Sequence, residues 1–467
     1  MDRNEIVVEM GTEQELPLNG ELLTLLFEEK KFSEIRLRAA RMLAPDLAEI
    51  FDELDRGHYA LFFSLLPKEL AAETFVEMDN EVQMHLINSF SDSELADVLD
   101  ELYIDDTVDI IEEMPANVVK RILRNSTGED RELINRILRY PKDSAGTVMT
   151  TEYVRFIGTM TVEMALNHIR KVAIDKETIY NCYVTGRDRR LLGIVTAKQL
   201  LISDLETPLS EIMDENVVYA YTHDDKEEVA LKLNKYGLLA LPVVDSEARL
   251  VGIITVDDAI EVIKEESEED FAKMAAITPT ETPYLKTSVF SIFKSRIPWL
   301  LILMISSTVS SSILTGFESA LPAVLVLFVP MIMGTGGNSG GQSSVTVTRS
   351  ISLSEVEFSD IGRVFFKEVR VGILSGGLLG VVTFLKVYLL DGLLLANPEV
   401  TVPVSFAVAA SLAVTILVAK IIGATLPIVA KKIGLDPAVM ASPLITTLVD
   451  AVSLIVYFFV ASSVLNI

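Results

Sequence analysis

The stretch Asp436–Ala461 reads DPAVMASPLITTLVDAVSLIVYFFVA. After Pro437 it contains a single charged side chain, Asp450, in an apolar run long enough for the roughly 20 residues that a bilayer-spanning helix needs. Asp436 before Pro437 predicts an N-cap. Asp450 lies several turns further on, where a carboxylate costs about 2.5–3.5 kcal/mol on insertion scales, so it should face a pore or a partner. Thr446 lies one turn before it and Ser442 two turns before it, so three oxygen ligands are stacked along one helix face.

Four more runs of this kind precede it, near 297–317, 321–347, 371–395 and 402–431. The expectation is an all-α membrane domain of five transmembrane helices over 296–467. Lys386 in the third run can snorkel, whereas Lys420 in the fourth should face protein or water, or mark a shorter span. The second run holds MGTGGNSGGQSS, Met333–Ser344, with five glycines between Gly334 and Gly341. Such a stretch reads either as tight helix packing or as a non-helical segment whose carbonyls line a water-filled path.

Charge divides the chain. Of its 467 residues 50% are hydrophobic, and the mean hydropathy of +0.38 is high for a soluble protein. From Arg296 onward nine acids balance nine bases, so the whole net charge of −27 sits on residues 1–295. Phosphate is repelled by such a surface, which argues against nucleic acid as a partner, and cations are attracted. The single cysteine, Cys182, excludes internal disulfides and cysteine metal clusters. Four histidines far apart in sequence make a zinc or copper site improbable. The first 20 residues lack a basic n-region and an apolar h-region, so they read as a flexible N-terminus and not as a signal peptide. With the N-terminal domains in the cytoplasm, the inner loops hold Lys294, Arg296, Arg349, Arg363, Lys367, Arg370, Lys431 and Lys432, and the outer loops hold Glu318, Asp391 and Glu399. This bias predicts a multi-pass plasma-membrane protein with its N-terminus inside and, after five spans, its C-terminus outside.

Upstream of the apolar runs, a pair of segments repeat each other. VMTTEYVRF leads to LLGIVTAKQLL at Leu191–Leu201, and IMDENVVYA leads to LVGIITVDDAI at Leu250–Ile260. Each half predicts a strand, a helix (Val162–Val172; Lys226–Tyr236), two apolar strands and a closing helix. This α/β duplication resembles a tandem pair of CBS domains, 144–203 and 204–262, regulatory modules that often sense nucleotides or ions. Thr255 and Asp258 match the ribose-contacting pattern of such pairs and are candidate ATP contacts; Gln199 takes the place of Asp in the first half.

Further upstream, over 21–140, large apolar residues recur every 12 positions: Leu54, Leu66, Met78, Phe90, Leu102 and Met114. Short helices ended by turns follow from this spacing, stacked as an all-α helical repeat. After the CBS pair, VDDAIEVIKEESEEDFAKM sets Asp258, Glu261, Glu265 and Glu269 on one face of a linker helix within 258–295. A solvated face and carboxylates bridged by divalent cations both fit that pattern. Oxygen ligands without histidine or cysteine suit a hard cation such as Mg2+. One Asp per chain is a meagre site for a divalent ion, and a two-fold dimer would bring two Asp450 residues around one axis.

Taken together, LRYPKDSAGTVMTTEYV, the linker helix, SSTVSSSILTGFES, GTGGNSGGQSS and DPAVMASPLITTLVDAVSLIVYFFVA resemble the MgtE family of magnesium channels, in the same order through most of the chain. The resemblance implies a homodimer in the lipid bilayer that imports Mg2+ through an interfacial path and is closed by cytoplasmic Mg2+ bound among the acidic domains. It implies a pore site of Asp450, Thr446, Ser442, Gly334, Gly337 and Asn338. It also implies regulatory Mg2+ ligands at Asp225, Glu227, Asp258, Glu261, Glu266, Glu269 and Asp270, with Asp105, Asp106 and Asp109 as N-domain candidates. The chain departs from the family pattern at Gly341, which stands for the second Asn of GGNxGNQ, at Ser442, where Asn can occur, and at Gly237, where an acid can occur. A non-conducting CBS sensor anchored in the membrane and an ion-coupled divalent cation carrier are the alternatives. An aspartyl hydrolase would need a second mid-membrane acid facing Asp450, and the chain offers none, so no enzyme is expected.

Overall fold

The computed structural model describes residues 18–280, 284–318, 322–440 and 442–465, so most of the expected flexible N-terminus lies outside the described residues. The chain divides into two compact units, Met1–Ile263 and Lys264–Ile467.

In the first unit ten short helices, α1–α10, run from Gly20 to Ile137. Among them α3 spans Ala44–Glu53 and α8 spans Ile104–Glu113. Alternate helices contact each other, α1 (Gly20–Glu28) with α3, α3 with α5 (Lys68–Val76) and α5 with α7 (Asp92–Leu99), and likewise α2 (Phe32–Ala39) with α4 (Tyr59–Leu65) and α4 with α6 (Asn80–Ser89). That is the stacking of a repeat, in which each unit buries its apolar face on its neighbours. The 12-residue period has a local cause. Leu54, Leu66, Phe90 and Met114 are C-caps in extended backbone, which turns a large side chain into the core just where the helix stops. Truncating one of them to Ala removes about 2–5 kcal/mol.

The duplicated region forms two three-stranded sheets, β1-β2-β3 (Tyr153–Ile157, Thr178–Thr185, Leu191–Thr196) and β4-β5-β6 (Ala220–Tyr221, Ala240–Val244, Leu250–Thr255). In each, the first strand runs parallel to the second and the second antiparallel to the third. Helices α11 (Val162–Val172) and α14 (Lys226–Tyr236) have the bounds expected from sequence, and α12 (Ala197–Ile202) closes the first half. A one-turn helix, α13 (Leu209–Ile212), was not expected.

The signature glycines have a packing role. A Cβ on Gly193 would lie 2.8 Å from Met213 Sδ, and one on Gly252 would lie 2.6 Å from Met149 Sδ. Met149, in the leading segment of the first half, packs in the core of the second with Leu241 and Ile254, and Thr150 bridges to Ile253. Asp214 correspondingly bridges to Ile194. The halves therefore exchange their leading segments, which a division at 203/204 does not reveal. The last helix of the pair, α15 (Val256–Met274), runs on past the second CBS fold.

The second unit holds α16 (Val289–Glu318), a short α17 (Ala323–Val326), α18 (Val329–Ser352), α19 (Ile361–Leu385), α20 (Val402–Lys432) and α21 (Ser442–Leu465). Among the described residues, five stretches are long and apolar enough to cross a membrane: Val289–Phe317, Ala323–Ser352, Phe358–Leu394, Val402–Lys432 and Pro443–Leu465. Helix α20 lies at the centre, in contact with α18, α19 and α21. Glycines permit this closeness. Gly372, Gly376 and Gly380 line one face of α19 against Leu417, Ala413 and Ala409 of α20, and a Cβ on Gly376 would sit 2.7 Å from the Ala413 carbonyl oxygen.

Candidate functional site

The glycine-rich stretch is helical throughout, within α18. This corrects the reading of a non-helical segment with free carbonyls. The physical reason is contact: a Cβ on Gly340 would lie 2.9 Å from Val449 Cγ2 and 3.2 Å from the Ala419 carbonyl oxygen, and one on Gly423 would run into the Gly340 carbonyl. Gly334 and Asn338, one turn apart, are exposed on the opposite side, and a Cβ on Gly334 would meet nothing.

Between these faces Gly337 meets α21. A Cβ there would lie 2.8 Å from Thr446 Cγ2 and 3.4 Å from Asp450 Oδ1. Gly337, Thr446 and Asp450 thus come together in the structure. The Asp450 Oδ1 atom is buried and has no hydrogen-bond partner among the described residues. The side chain of Ser442 lies outside the described residues. The sequence predicts Asp436 as the N-cap of the last helix, but α21 begins at Ser442, and Asp436 instead closes a turn ahead of it by accepting from the Ala438 N–H at 2.8 Å.

At the other end of α15, inside the second unit, two contacts tie its last turns to the end of α18 and to the segment ahead of α21. Asp270 accepts from the Ser352 hydroxyl at 2.8 Å. Lys273 Nζ sits 2.7 Å from Glu269 and 2.7 Å from Asp436. Burial pushes the Asp270 carboxyl upward, and the Ser352 hydrogen bond pulls against that. Burial lowers Lys273, but hydrogen bonds to Asp436 and Glu269 outweigh it and hold the ammonium above its usual range. Ser352 belongs to no motif, and only the fold reveals the proximity of Lys273 to Asp436.

In the first unit, Asp105, Asp106 and Asp109 on α8 gather with Asp258 and Glu261 at the start of α15 and with Glu152 and Glu177. Burial pushes Asp106 up to about 7, and the negative charges of Asp258, Glu261 and Glu152 add to it. Asp109 keeps an exposed edge, and burial followed by the charges of Asp106, Glu261 and Asp258 takes it to about 8. Glu177 rises to about 7 through burial and then Asp258, Asp257 and Asp106. Asp105 is 8% exposed, its carboxyl is raised well above the carboxylate range by burial, and its Oδ1 has no hydrogen-bond partner among the described residues. Glu152 and Glu177 were missed from sequence because nothing in their local pattern distinguishes them.

Other expected ligands have visible local roles. Asp225 is the N-cap of α14, accepting from the Glu227 and Glu228 N–H groups at 2.9 and 3.2 Å. Asp258 caps α15 by accepting from the Thr255 N–H at 3.2 Å and from the Thr255 hydroxyl. Gln199 makes the same capping box with Thr196 in the first half. The Thr-x-x-Asp pattern is therefore at least a helix start. Glu227 and Glu266 are partly buried, Glu261 is exposed, and Glu266 lies on the portion of α15 assigned to the second unit. Among the described residues no three His, Cys, Asp or Glu side chains are spaced to hold a metal ion. Any ion bound here would need hydroxyls, carbonyls, water or a second chain as well.

Comparison with known proteins brings these regions together. The magnesium transporter MgtE of Thermus thermophilus is 38% identical over 427 residues, covering 90% of this chain and 93% of that protein. The chain belongs to the MgtE family. The MgtE divalent cation transporter model matches residues 329–460, the MgtE intracellular N domain model 42–143 and the CBS model 209–265. MgtE of Bacillus subtilis is 31% identical over 95% of this chain and 97% of its own. A crystal structure of the cytosolic domain of the Mg2+ channel MgtE in complex with ATP covers 52% of this chain and all of that one, at 36% identity and a TM-score of 0.50. The MgtE architecture of helical N domain, CBS pair and apolar helices is the one expected from sequence.

Proposed function

We propose that the chain is a Mg2+-selective channel that imports magnesium across the plasma membrane, with its ion path at a homodimer interface. The observation that carries this reading is the meeting of Gly337, Thr446 and Asp450 inside the apolar helices, with Asp450 Oδ1 buried and unpaired among the described residues. A lone carboxylate beside a hydroxyl and a glycine backbone suits a small hard cation that keeps most of its water. Asn338, Gly334 and Ser442 complete the path, and two chains supply −2 against the ion's +2. The names of the relatives, magnesium transporters and a Mg2+ channel, support the choice of ion. The reading needs no enzymatic step. The N-terminus is cytoplasmic and the C-terminus outside, as the loop charges favour.

The regulatory region is the acidic cluster. Asp105, Asp106, Asp109, Asp258 and Glu261, with Asp225, Glu227, Glu266, Glu269 and Asp270 along the same domains and linker, bind cytoplasmic Mg2+ and favour closure. At an effective dielectric near 20, two unit charges 4 Å apart interact by about 4 kcal/mol, so such contacts close only when neutralised. Bound Mg2+ then favours whichever state offers bridging sites. ATP is a ligand of the CBS pair through Thr255 and Asp258, a reading supported by the ATP complex of the related cytosolic domain. The N domain (21–140), the CBS domains (144–203 and 204–262), the linker (258–295) and the pore domain (296–467) divide these tasks.

The test is Mg2+ flux into liposomes carrying the full chain, with and without an imposed gradient of a second ion. Flux driven by the Mg2+ gradient alone and lost in Asp450→Ala supports a channel. Flux that needs the second gradient makes it a carrier, and no flux leaves a membrane-anchored sensor.

A further inference from the structure

Lys420 is a buried charged residue of the second unit that the proposed ion path does not use. It lies well inside α20 and is 7% exposed. Its Nζ reaches the Ser343 hydroxyl of α18 at 3.5 Å, and that hydroxyl donates to Glu368 Oε2 of α19 at 2.7 Å. Ser343 is itself 4% exposed. A cation and an anion on two helices are thus joined through a hydroxyl on a third. An unpaired charge at such a position is expensive, and the two charges make each other tolerable.

We propose that Lys420, Ser343 and Glu368 are positioning residues that set the register of α18 beside the ion path. The argument starts from the smoothness of the α18–α20 contact. Gly340, Ala419 and Gly423 meet there with almost no side chain between the backbones. Small-residue surfaces allow close approach but present no ridges to stop one helix from sliding or turning on the other. A buried polar link specifies register where apolar packing does not, which is the best-attested use of such groups. Ser343 lies less than two turns along α18 from Gly337, on the same rigid element. Any slip at Ser343 therefore moves Gly337 relative to Thr446 and Asp450. Neither Lys420 nor Glu368 touches the ion; both act through α18.

This inference rests on the proposed role of Asp450, and the experiment separates the two. Full-length Lys420→Met, Glu368→Gln, the double variant, Lys420→Arg and Ser343→Ala are reconstituted, and Mg2+ flux is measured against Mg2+ concentration. Each neutralising single variant leaves the other charge, Lys420 buried or Glu368 partly buried, without its counter-charge and is expected to raise the half-saturating Mg2+ concentration about tenfold. The double variant removes both charges and should return to within about threefold of wild type. Lys420→Arg, which keeps the charge, should match wild type, and Ser343→Ala should shift half-saturation in the same direction as the singles. If the single variants do not fold, recovery of folded protein in the double is read instead. Single variants with wild-type flux curves, or a double variant as impaired as both singles combined, overturn the proposal. Wild-type flux in Asp450→Ala overturns the ion site, while the pairing of Lys420 with Glu368 is still read from the folding of the single and double variants.

Discussion

Asp450 and the carboxylates around Asp106 sit among different neighbours. Around Asp450 the structure offers a glycine and a threonine, Gly337 and Thr446. Around Asp106 it offers more acids, from α8, from the start of α15 and from Glu152 and Glu177. A solitary carboxylate attracts a passing cation without holding a dehydrated one, because it supplies too few ligands. A crowd of carboxylates stores repulsion, and its geometry changes when a cation or proton arrives. Under the proposed function, passage and sensing need the same residue type in opposite surroundings, and the two units of the chain hold one arrangement each.

The largest effect should come from the solitary acid. Asp450→Ala or Asp450→Asn is expected to reduce Mg2+ flux by about a hundredfold or more, since a charged ring is what favours cations in such a path. Size-exclusion and thermal unfolding should show the same oligomeric state and melting as the wild type. A folded Asp450→Ala protein with wild-type flux breaks the comparison at its first term.

The crowd should behave differently. Replacing Asp258, Glu261, Glu266 and Glu269 together by their amides should leave conduction but remove its dependence on cytoplasmic Mg2+. Single-channel recording across a Mg2+ titration reads this directly, and an unchanged titration curve rules out bridging by this helix.

A third prediction concerns protons. Asp106 and Glu177 at about 7 and Asp109 at about 8 stand above the carboxylate range of an unfolded chain. The folded cluster then binds more protons than the unfolded chain between about pH 4 and pH 8, so its stability falls as pH rises through that window. Without Mg2+, the exchange protection of α8, corrected for intrinsic rates, should be higher at pH 5.5 than at pH 8.5. Saturating Mg2+ should narrow the gap, and Asp106→Asn with Asp109→Asn should flatten it. Protection that rises with pH would contradict the assignment of these groups.

The smallest effect sharpens the contrast between the CBS halves. Thr196 and Thr255 cap equivalent helices, but only the second cap's partner, Asp258, belongs to the acidic cluster. Thr196→Ala should cost about 1 kcal/mol of stability and leave the Mg2+ response unchanged.

Much of this was legible in the sequence because it is written at short range. The bounds of α11 and α14, the five spans and the 12-residue period all follow from local apolar spacing. So does the helix face shared by Thr446 and Asp450. The glycine-rich helix was ambiguous because glycine serves loose backbone and close packing equally well, and only Ala419, Val449 and Gly423 across the gap decide between them. Glu152, Glu177, Ser343, Glu368 and Lys273 were out of reach for another reason. Each acquires its surroundings from residues distant along the chain, and no local pattern encodes those pairings.

The exchanged leading segments of the CBS halves bear on how the chain is made. Met149 and Thr150 find their places against Gly252 and Ile253. At a synthesis rate of about 5–20 residues per second, that partner follows roughly 5–20 seconds later. Until then the first half has its own strands but not its edge contact with the second. The helical repeat before it, built from neighbour-to-neighbour contacts, has no such wait. A ribosome pausing between the halves would therefore hold a finished N-terminal repeat beside an incomplete CBS fold. Binding of a chaperone to stalled chains should begin near Met149 and end once Ile254 has emerged.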